Sequence, residues 1–531
     1  MSSVTRQILA KHRPPGCTGR GDRYLAELAQ DLRRLLAQRQ RSFMYDSCRL
    51  PEADLNELAA LLVELGEDLH NDIGLWRALE SFNRSCFGQA LPLTTRAAGP
   101  AAGSVFDRDR IQHFLWGLWS SFKPDLLVSP THSDLRALAE AASLFLAERF
   151  ARLPQDSGVG HFLGSPNRYG WDVKRKLVWL GTHSYLFRLL YPLYVAEHGA
   201  QATVATTDDF ICQACTCWSG LGAIDILAGA LDLPDADRAT LRGWYERHAA
   251  FFRVLSRHDQ GGQTETIEVR NLINDQPYTV RMDMPDCPFR SGGVIFGSLV
   301  PWRGEWYWSG EQRQWPDLSP AAEADVRKRM LQESSAITYR YCPERAEMAR
   351  KSLARHYARF QAYYGNDLVV FPDGLSAAAA EQRKMTQEWE AAPPEVVAQF
   401  MKARGLTRPC PAMHFPKGFL DCDQGVGCFF NPDEGEEFMR EFDPVLSGFK
   451  KRGVGLTPAE LERIRQFMES LAISPAFVRR LVRDHGAESV GVTYAIKDFQ
   501  AETDLSFLLR RDKGHFYRRR YPTLSLVSDA G

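Results

Sequence analysis

Pro301-Trp302-Arg303-Gly304-Glu305-Trp306-Tyr307-Trp308-Ser309-Gly310 closes a stretch, from Ile267 to Gln312, in which apolar residues return at every second position. Ile267 and Val269, then Tyr278, Val280 and Met282, then Val294 and Phe296, then Trp306 and Trp308 keep that spacing. Asn274-Asp275-Gln276-Pro277, Gly292-Gly293 and Arg303-Gly304 stand between the runs. A period of two with turn residues between runs predicts half-buried strands. Strands this short and close predict a small antiparallel, barrel-like module over residues 261–316. Alternation puts Trp306 and Trp308 on its inner face and Tyr307 on the other. Trp302 stands at a turn, where exposure would mark a stacking surface that packing does not explain. Glu268 alternates away from Ile267 and Val269 and reads as solvated, while Glu265 shares their face where the strand frays.

Outward from this module the chain reads as helical. Leu25, Leu28, Leu32 and Leu36 form one stripe, and Leu55, Leu58, Leu61, Leu62 and Leu65 another. From Asp107 to His258 helices dominate, with Ser133-Asp134 expected to cap one and Thr206-Thr207-Asp208-Asp209 to start another. The fold class is therefore mainly α: a multidomain helical bundle or solenoid-like platform, an inserted β module and an α+β C-terminal domain. The parts are an N-terminal helical region (1–93), a small-residue linker or long loop (94–105), a helical domain (106–260), the β module (261–316), a second helical region (317–404), a Gly/Pro-rich hinge (405–418) and a C-terminal domain with a basic tail (419–531). Within the last, a hairpin is expected from Phe419-Leu420 and Cys428-Phe429-Phe430. A helix with Phe438, Phe442 and Leu446 inward should follow it.

The chain of 531 residues can bury a large core, and 44% hydrophobic with 25% charged residues is ordinary for a folded soluble protein. A formal net charge of -1 gives no global pull toward nucleic acid or an anionic membrane. No apolar run approaches a membrane span, and no hydrophobic block follows the N-terminal basic residues. Eleven scattered cysteines read as reduced thiols of a cytoplasmic protein.

No catalytic motif, phosphate loop or complete ligand set stands in the sequence, so neither catalytic residues nor a metal or other cofactor is expected. Cys212, Cys215 and Cys217 have a zinc-compatible C-x2-C spacing, yet read as buried thiols of one apolar helix between Phe210 and Trp218. Cys410, His414, Cys422 and Cys428 could supply four ligands, but their spacing departs from compact zinc knuckles. Asp421-Cys422-Asp423-Gln424-Gly425 begins like a calcium loop and then lacks glycine at the sixth position, which is Val426.

The tail is locally basic. From Lys450 onward fifteen Lys/Arg face ten Asp/Glu. Arg510, Arg511, Lys513, Arg518, Arg519 and Arg520 interleave with Tyr517 and Tyr521, combining cations for phosphate with stacking faces. Arg479, Arg480 and Arg483 lie on the second of two consecutive helices with a helix-turn-helix outline. Nucleic acid or an acidic protein surface is the partner these residues would contact.

The function expected is that of a non-catalytic cytoplasmic interaction or regulatory protein with a protein partner, of bacterial type. The alternatives are a nucleic-acid-binding protein using the basic segment and an enzyme with a site assembled from distant residues. A long helical N-terminal part, a hinge carrying Met401-Lys402 and a C-terminal domain beyond it also resemble, in layout, the protein substrates cut by RNA-guided caspase-like proteases of bacterial CRISPR systems. That resemblance implies a defence regulator cleaved by a partner protease in the 401–418 hinge. Met401-Lys402 equally suits the last turn of a helix, where lysine complements the macrodipole.

Overall fold

A computed structural model describes residues 4–95, 105–245, 247–273, 275–315, 318–333, 343–405, 410, 412–517 and 523–524. Most of the linker expected at 94–105 and the tail residues Arg518, Arg519, Arg520 and Tyr521 lie outside the described residues. The chain divides into two compact units, Met1–Tyr341 with Gly514–Gly531, and Cys342–Lys513. The 405–418 segment thus falls inside the second unit. Among the described residues no helix is long and apolar enough to cross a membrane.

The first unit is built on the leucine stripes. After α1 (Val4–His12), α2 (Asp22–Arg39) buries Leu25, Leu28, Ala29, Leu32 and Leu36 along one face. Helix α3 (Glu52–His70) is buried on every side from Leu58 through Asp68, packed by α1, α2, α4 (Leu75–Phe87) and α6 (Ser133–Phe150). Between these last two, α5 (Arg108–Phe122) starts at Asp107, whose carboxylate accepts the N–H groups of Asp109 and Arg110. Gly117 of α5 is obligatory for a different reason: a Cβ there would lie 2.2 Å from Trp218 Nε1. The cap of α6 is His132, not Ser133; its Nδ1 accepts the Asp134 N–H.

Short helices α7 (Gly158–Gly164), α8 (Gly170–His183), α9 (Leu190–Glu197), α10 (Val204–Gln213), α11 (Ala223–Ala230) and α12 (Asp235–Arg242) complete the helical part. Thr203 caps α10, so that helix begins earlier than Thr206. It ends at Gln213, and Cys215 and Cys217 therefore sit in the following loop instead of a continuous helix.

The strands begin sooner than the sequence suggests. β1 (Arg247–Gln260) occupies a stretch read as helix, because Ala250, Phe252 and Val254 point into the sheet's core. It pairs antiparallel with β2 (Gln263–Asn271) and β4 (Val294–Trp302); β2 also pairs with β3 (Pro277–Met284), and β4 with β5 (Glu305–Trp315). The sheet is mixed, not purely antiparallel: β3 meets β5 through one parallel bridge, Val280 with Trp306. At the β4–β5 hairpin Arg303 and Gly304 have φ of 49° and 84°, the double positive φ that a two-residue turn matching strand twist requires. Trp306 and Trp308 pack, partly buried, on the inner cluster of Ile267, Val269, Val280, Ile295 and Leu299. Trp302 is fully buried, its Nε1 donating to the Asn167 carbonyl at 3.1 Å, and offers no exposed stacking surface. Helix α13 (Pro320–Glu333) follows.

In the second unit α14 (Pro343–Tyr364) leads to β6 (Leu368–Phe371), and Asp373 caps α15 (Gly374–Glu390) by accepting the Ser376 N–H at 2.6 Å. Pro393-Pro394 opens α16 (Pro394–Arg404). Phe419-Leu420 belongs to a helical turn, α17 (Lys417–Leu420), and the hairpin instead joins β7 (Val426–Asn431) to β8 (Gly435–Arg440), which contains Phe438. β6 pairs antiparallel with the other edge of β7. Helices α18 (Asp443–Lys450), α19 (Pro458–Glu469), α20 (Pro475–His485), α21 (Glu488–Thr493) and α22 (Thr503–Asp512) bury Phe449, Phe467 and Phe477 between them. The chain then returns to the first unit, where β9 (Thr523–Leu524) pairs parallel with Arg247 and His248 of β1.

Candidate functional site

Helix α3 carries Glu57, Glu64, Glu67 and Asp68, an unusual load for a helix so deeply buried. Burying a carboxylate is costly unless it is paired and hydrogen-bonded, and each has a partner from distant sequence. Arg188, 4% exposed, donates from Nε to Glu57 at 2.6 Å and from Nη1 to Glu64. Arg13 donates to Glu67 at 2.8 Å and pairs with Asp22, and Ser157 Oγ donates to Glu67. Asp68 accepts Tyr185 Oη at 2.6 Å and the N–H groups of Gly74 and Trp76 at 2.8 and 2.7 Å. Burial pushes the Glu64 carboxyl up to about 7 against the pull of Arg188. Burial, with Arg188 adding to it, pushes His12 down to about 3, and the His12 and His183 Nδ1 atoms lie 3.3 Å apart.

This node encloses a cavity of about 20 Å³, room for roughly one water and not for a substrate. An open cleft of about 400 Å³ adjoins it at Ile73. Most of the cleft's charged side chains are committed to partners: Arg77 to Asp72, and Asp156 to Arg20 at 3.0 Å and to His161 at 2.8 Å. Ser157 Oγ accepts the Gly160 N–H while donating to Glu67, and His161 Nδ1 contacts the Thr18 carbonyl. The arrangement fixes helices to one another; it does not aim a nucleophile and base at a shared point. No sequence motif singles out any of these residues. The only signal is acids recurring in an otherwise leucine-rich helix.

The basic residues are dispersed by function within the fold. Arg480, 9% exposed, donates from Nε to Asp367 at 2.7 Å and also pairs with Asp484. Lys513 is fully buried with Nζ on the Ser470 carbonyl, and burial lowers it to about 8. Arg511 is buried with Nη1 3.3 Å from Asp512. Arg479 donates to Ser506 Oγ at 3.0 Å, Arg510 is partly exposed, Tyr517 is exposed, and Arg483 keeps its side chain 66% exposed, 3.5 Å from Asp367. Three of the cations expected on one interface therefore serve the interior of the second unit.

Met401 and Lys402 lie in the last turn of α16, and Gly405 ends that helix in a left-handed conformation with its N–H on the Met401 carbonyl. None of the described side chains of α16 is buried; Lys402 is exposed, Val396 is 55% exposed, and Phe400, half-buried, meets the Trp389 ring at 4.8 Å. Residues 406–409 and 411 lie outside the described residues. Beyond them the chain is held to α15 again, Gln382 donating to Cys410 Sγ at 3.5 Å and accepting the Met413 N–H at 2.8 Å. The exposed helix is thus bracketed by anchored chain.

Among the described residues, two groups of donors are close enough for one ion: Cys48-His132-Asp134 and Glu381-Cys428-Glu436. Neither includes Cys410, His414 or Cys422, nor the 212–217 cysteines. The calcium-like run is a turn in which Gly425, at φ 78°, leaves its Cβ position to the Asp443 carboxylate. One family model, described as a protein of unknown function (DUF3843), matches residues 21–190, a stretch that takes in α2 to α8 and most of the ionic node. No curated protein matches the chain, and no solved structure does.

Proposed function

We propose that this chain is a non-catalytic, cytoplasmic interaction or regulatory protein, and that α16 with the connection behind it, residues 394–418, is what a protein partner takes hold of. The supporting observation is that α16 buries none of its described side chains. Helices in folded proteins draw most of their stability from a packed face. On α16 Val396 is exposed, and Val397, Phe400 and Met401 are only partly covered, Phe400 by the Trp389 ring, as apolar side chains of segments that enter a partner's groove are. The five-strand module is read as a barrel-like platform in the same proposal, supported by each of its strands having two neighbours. The test is recovery of the partner from the native host with wild type and with V396E, at the exposed position of the helix. Loss of the partner with an unchanged melting temperature is expected. Equal recovery, or substrate turnover by the purified chain that point mutation abolishes, would sink the proposal.

A second reading is favoured by the placement of Met401-Lys402. A protease needs extended backbone, so the last turn of α16 must unwind, and a turn that is held by no buried side chain unwinds locally. The resemblance in layout to substrates of RNA-guided caspase-like proteases motivates a cut there, although the 401–418 segment lies within one compact unit. Incubation with such a protease, its guide and its target RNA should give fragments ending at Met401 and beginning at Lys402. A chain left intact would exclude this reading.

A further inference from the structure

We propose that Cys48, His132 and Asp134 form a binding site for one divalent transition-metal ion, with zinc as the best chemical match. The turn Asp46–Cys48 and the start of α6 bring a thiol, a ring nitrogen and a carboxylate oxygen within 4.8 Å of one another, although Cys48 lies far from the other two in sequence. Cys48 is 4% exposed and Asp134 is 7% exposed. Asp134 accepts the Met44 N–H at 3.1 Å, and none of the described ion pairs gives it a cation. A thiol and a carboxylate thus meet in one buried place.

The other donor group among the described residues shows the contrast. At Glu381-Cys428-Glu436 the Lys384 ammonium lies 2.6 Å from Glu381 and also pairs with Glu436, so that group already holds its cation. Asp134 has no such ion pair among the described residues. One thiolate, one imidazole and one carboxylate suit zinc and its neighbours; calcium and magnesium require an oxygen set. Three protein ligands leave a fourth position for water, and His132, only partly buried, gives access. The His132 ring is oriented by the Asp134 N–H, which donates to Nδ1 at 3.2 Å, and by the Tyr45 ring at 5.9 Å. On binding, the Cys48 S–H bond breaks, its proton goes to water, the sulfur pair forms the metal bond, and no oxidation state changes.

The experiment is titration of the chelator-stripped full-length chain with cobalt(II). One equivalent should bind, with tetrahedral ligand-field bands and a thiolate-to-cobalt charge-transfer band. C48S should lose the charge-transfer band, and both C48S and D134N should bind more weakly by more than the ~100-fold that loss of a merely supporting residue costs. C215S should behave as wild type. Zinc should raise the melting temperature of wild type and not of D134N, which keeps the shape of the carboxylate should C48S fail to fold. Absence of stoichiometric binding, or a wild-type spectrum from C48S, would overturn the site and leave Asp134 as a helix-end carboxylate only.

Discussion

Val369 of β6 stands directly opposite Cys428 of β7 in an antiparallel pair. The two residues come from opposite sides of the 401–418 segment, so one three-stranded sheet is completed by chain on both sides of it. A protease acting between Met401 and Gly418 should therefore give two bands on a denaturing gel and a single species on gel filtration. Separation of the fragments without denaturant would show that the β6–β7 pairing does not hold them.

Arg188 should be a stability residue and nothing else. Its guanidinium is the shared partner of Glu57 and Glu64. Arg188→Ala takes the hydrogen-bonded cation from buried Glu64 and half-buried Glu57 and should cost about 3–5 kcal/mol, measured by denaturant unfolding of the first unit's transition. A change under about 0.5 kcal/mol, the level of ordinary surface substitutions, would mean the node is solvated.

Acid sensitivity should separate Glu64 from His12. Glu64, raised to about 7, contributes stability that is fully present below its unfolded value near 4.5 and is lost as pH rises toward 7. His12, lowered to about 3, contributes stability that is present above 6.5 and is lost as pH falls toward 3. Between pH 4.5 and 6.5 the two oppose each other. E64Q should accordingly lose more stability than wild type on acidification through that window, and H12Q less. Parallel pH–stability curves for all three proteins would contradict both assignments.

Arg480 and Arg483 should part company. Arg480→Ala strands Asp367 in a part-buried setting and should destabilise the second unit by about 3 kcal/mol, while Arg483→Ala, largely exposed, should stay within about 0.5 kcal/mol. If single-stranded DNA binds at all, the loss should follow Arg479, Arg483 and Arg510 with a steep salt dependence. Salt-dependent binding lost in R480A with unchanged stability would restore the interface reading.

What is legible in the sequence is periodicity. Ile267, Val280 and Trp308 declare β2, β3 and β5 because each alternates with its neighbours along the strand, and the leucines of α2 and α3 declare helices. β1 escapes because Phe251 and Phe252 are apolar at successive positions, which hides the inward set of Ala250, Phe252 and Val254. The ionic node is illegible for another reason: Glu64 and Arg188 are 124 residues apart, and no local spacing encodes such a pair. The same holds for Cys48 and Asp134. For α16, Pro393-Pro394 and Gly405 announce its ends, whereas the slight burial of its side chains depends on neighbours that no local spacing encodes.

The return of residues 514–531 to the first unit has a consequence during synthesis. That unit's sheet lacks β9 until the whole of the second unit, Cys342–Lys513, has been made. At ~5–20 residues per second this takes roughly ten to thirty seconds. Throughout that interval the start of β1, at Arg247 and His248, is an unpaired strand edge of the kind that recruits other chains. A released chain truncated before residue 514 should therefore keep this edge of the first unit's sheet open to mispairing.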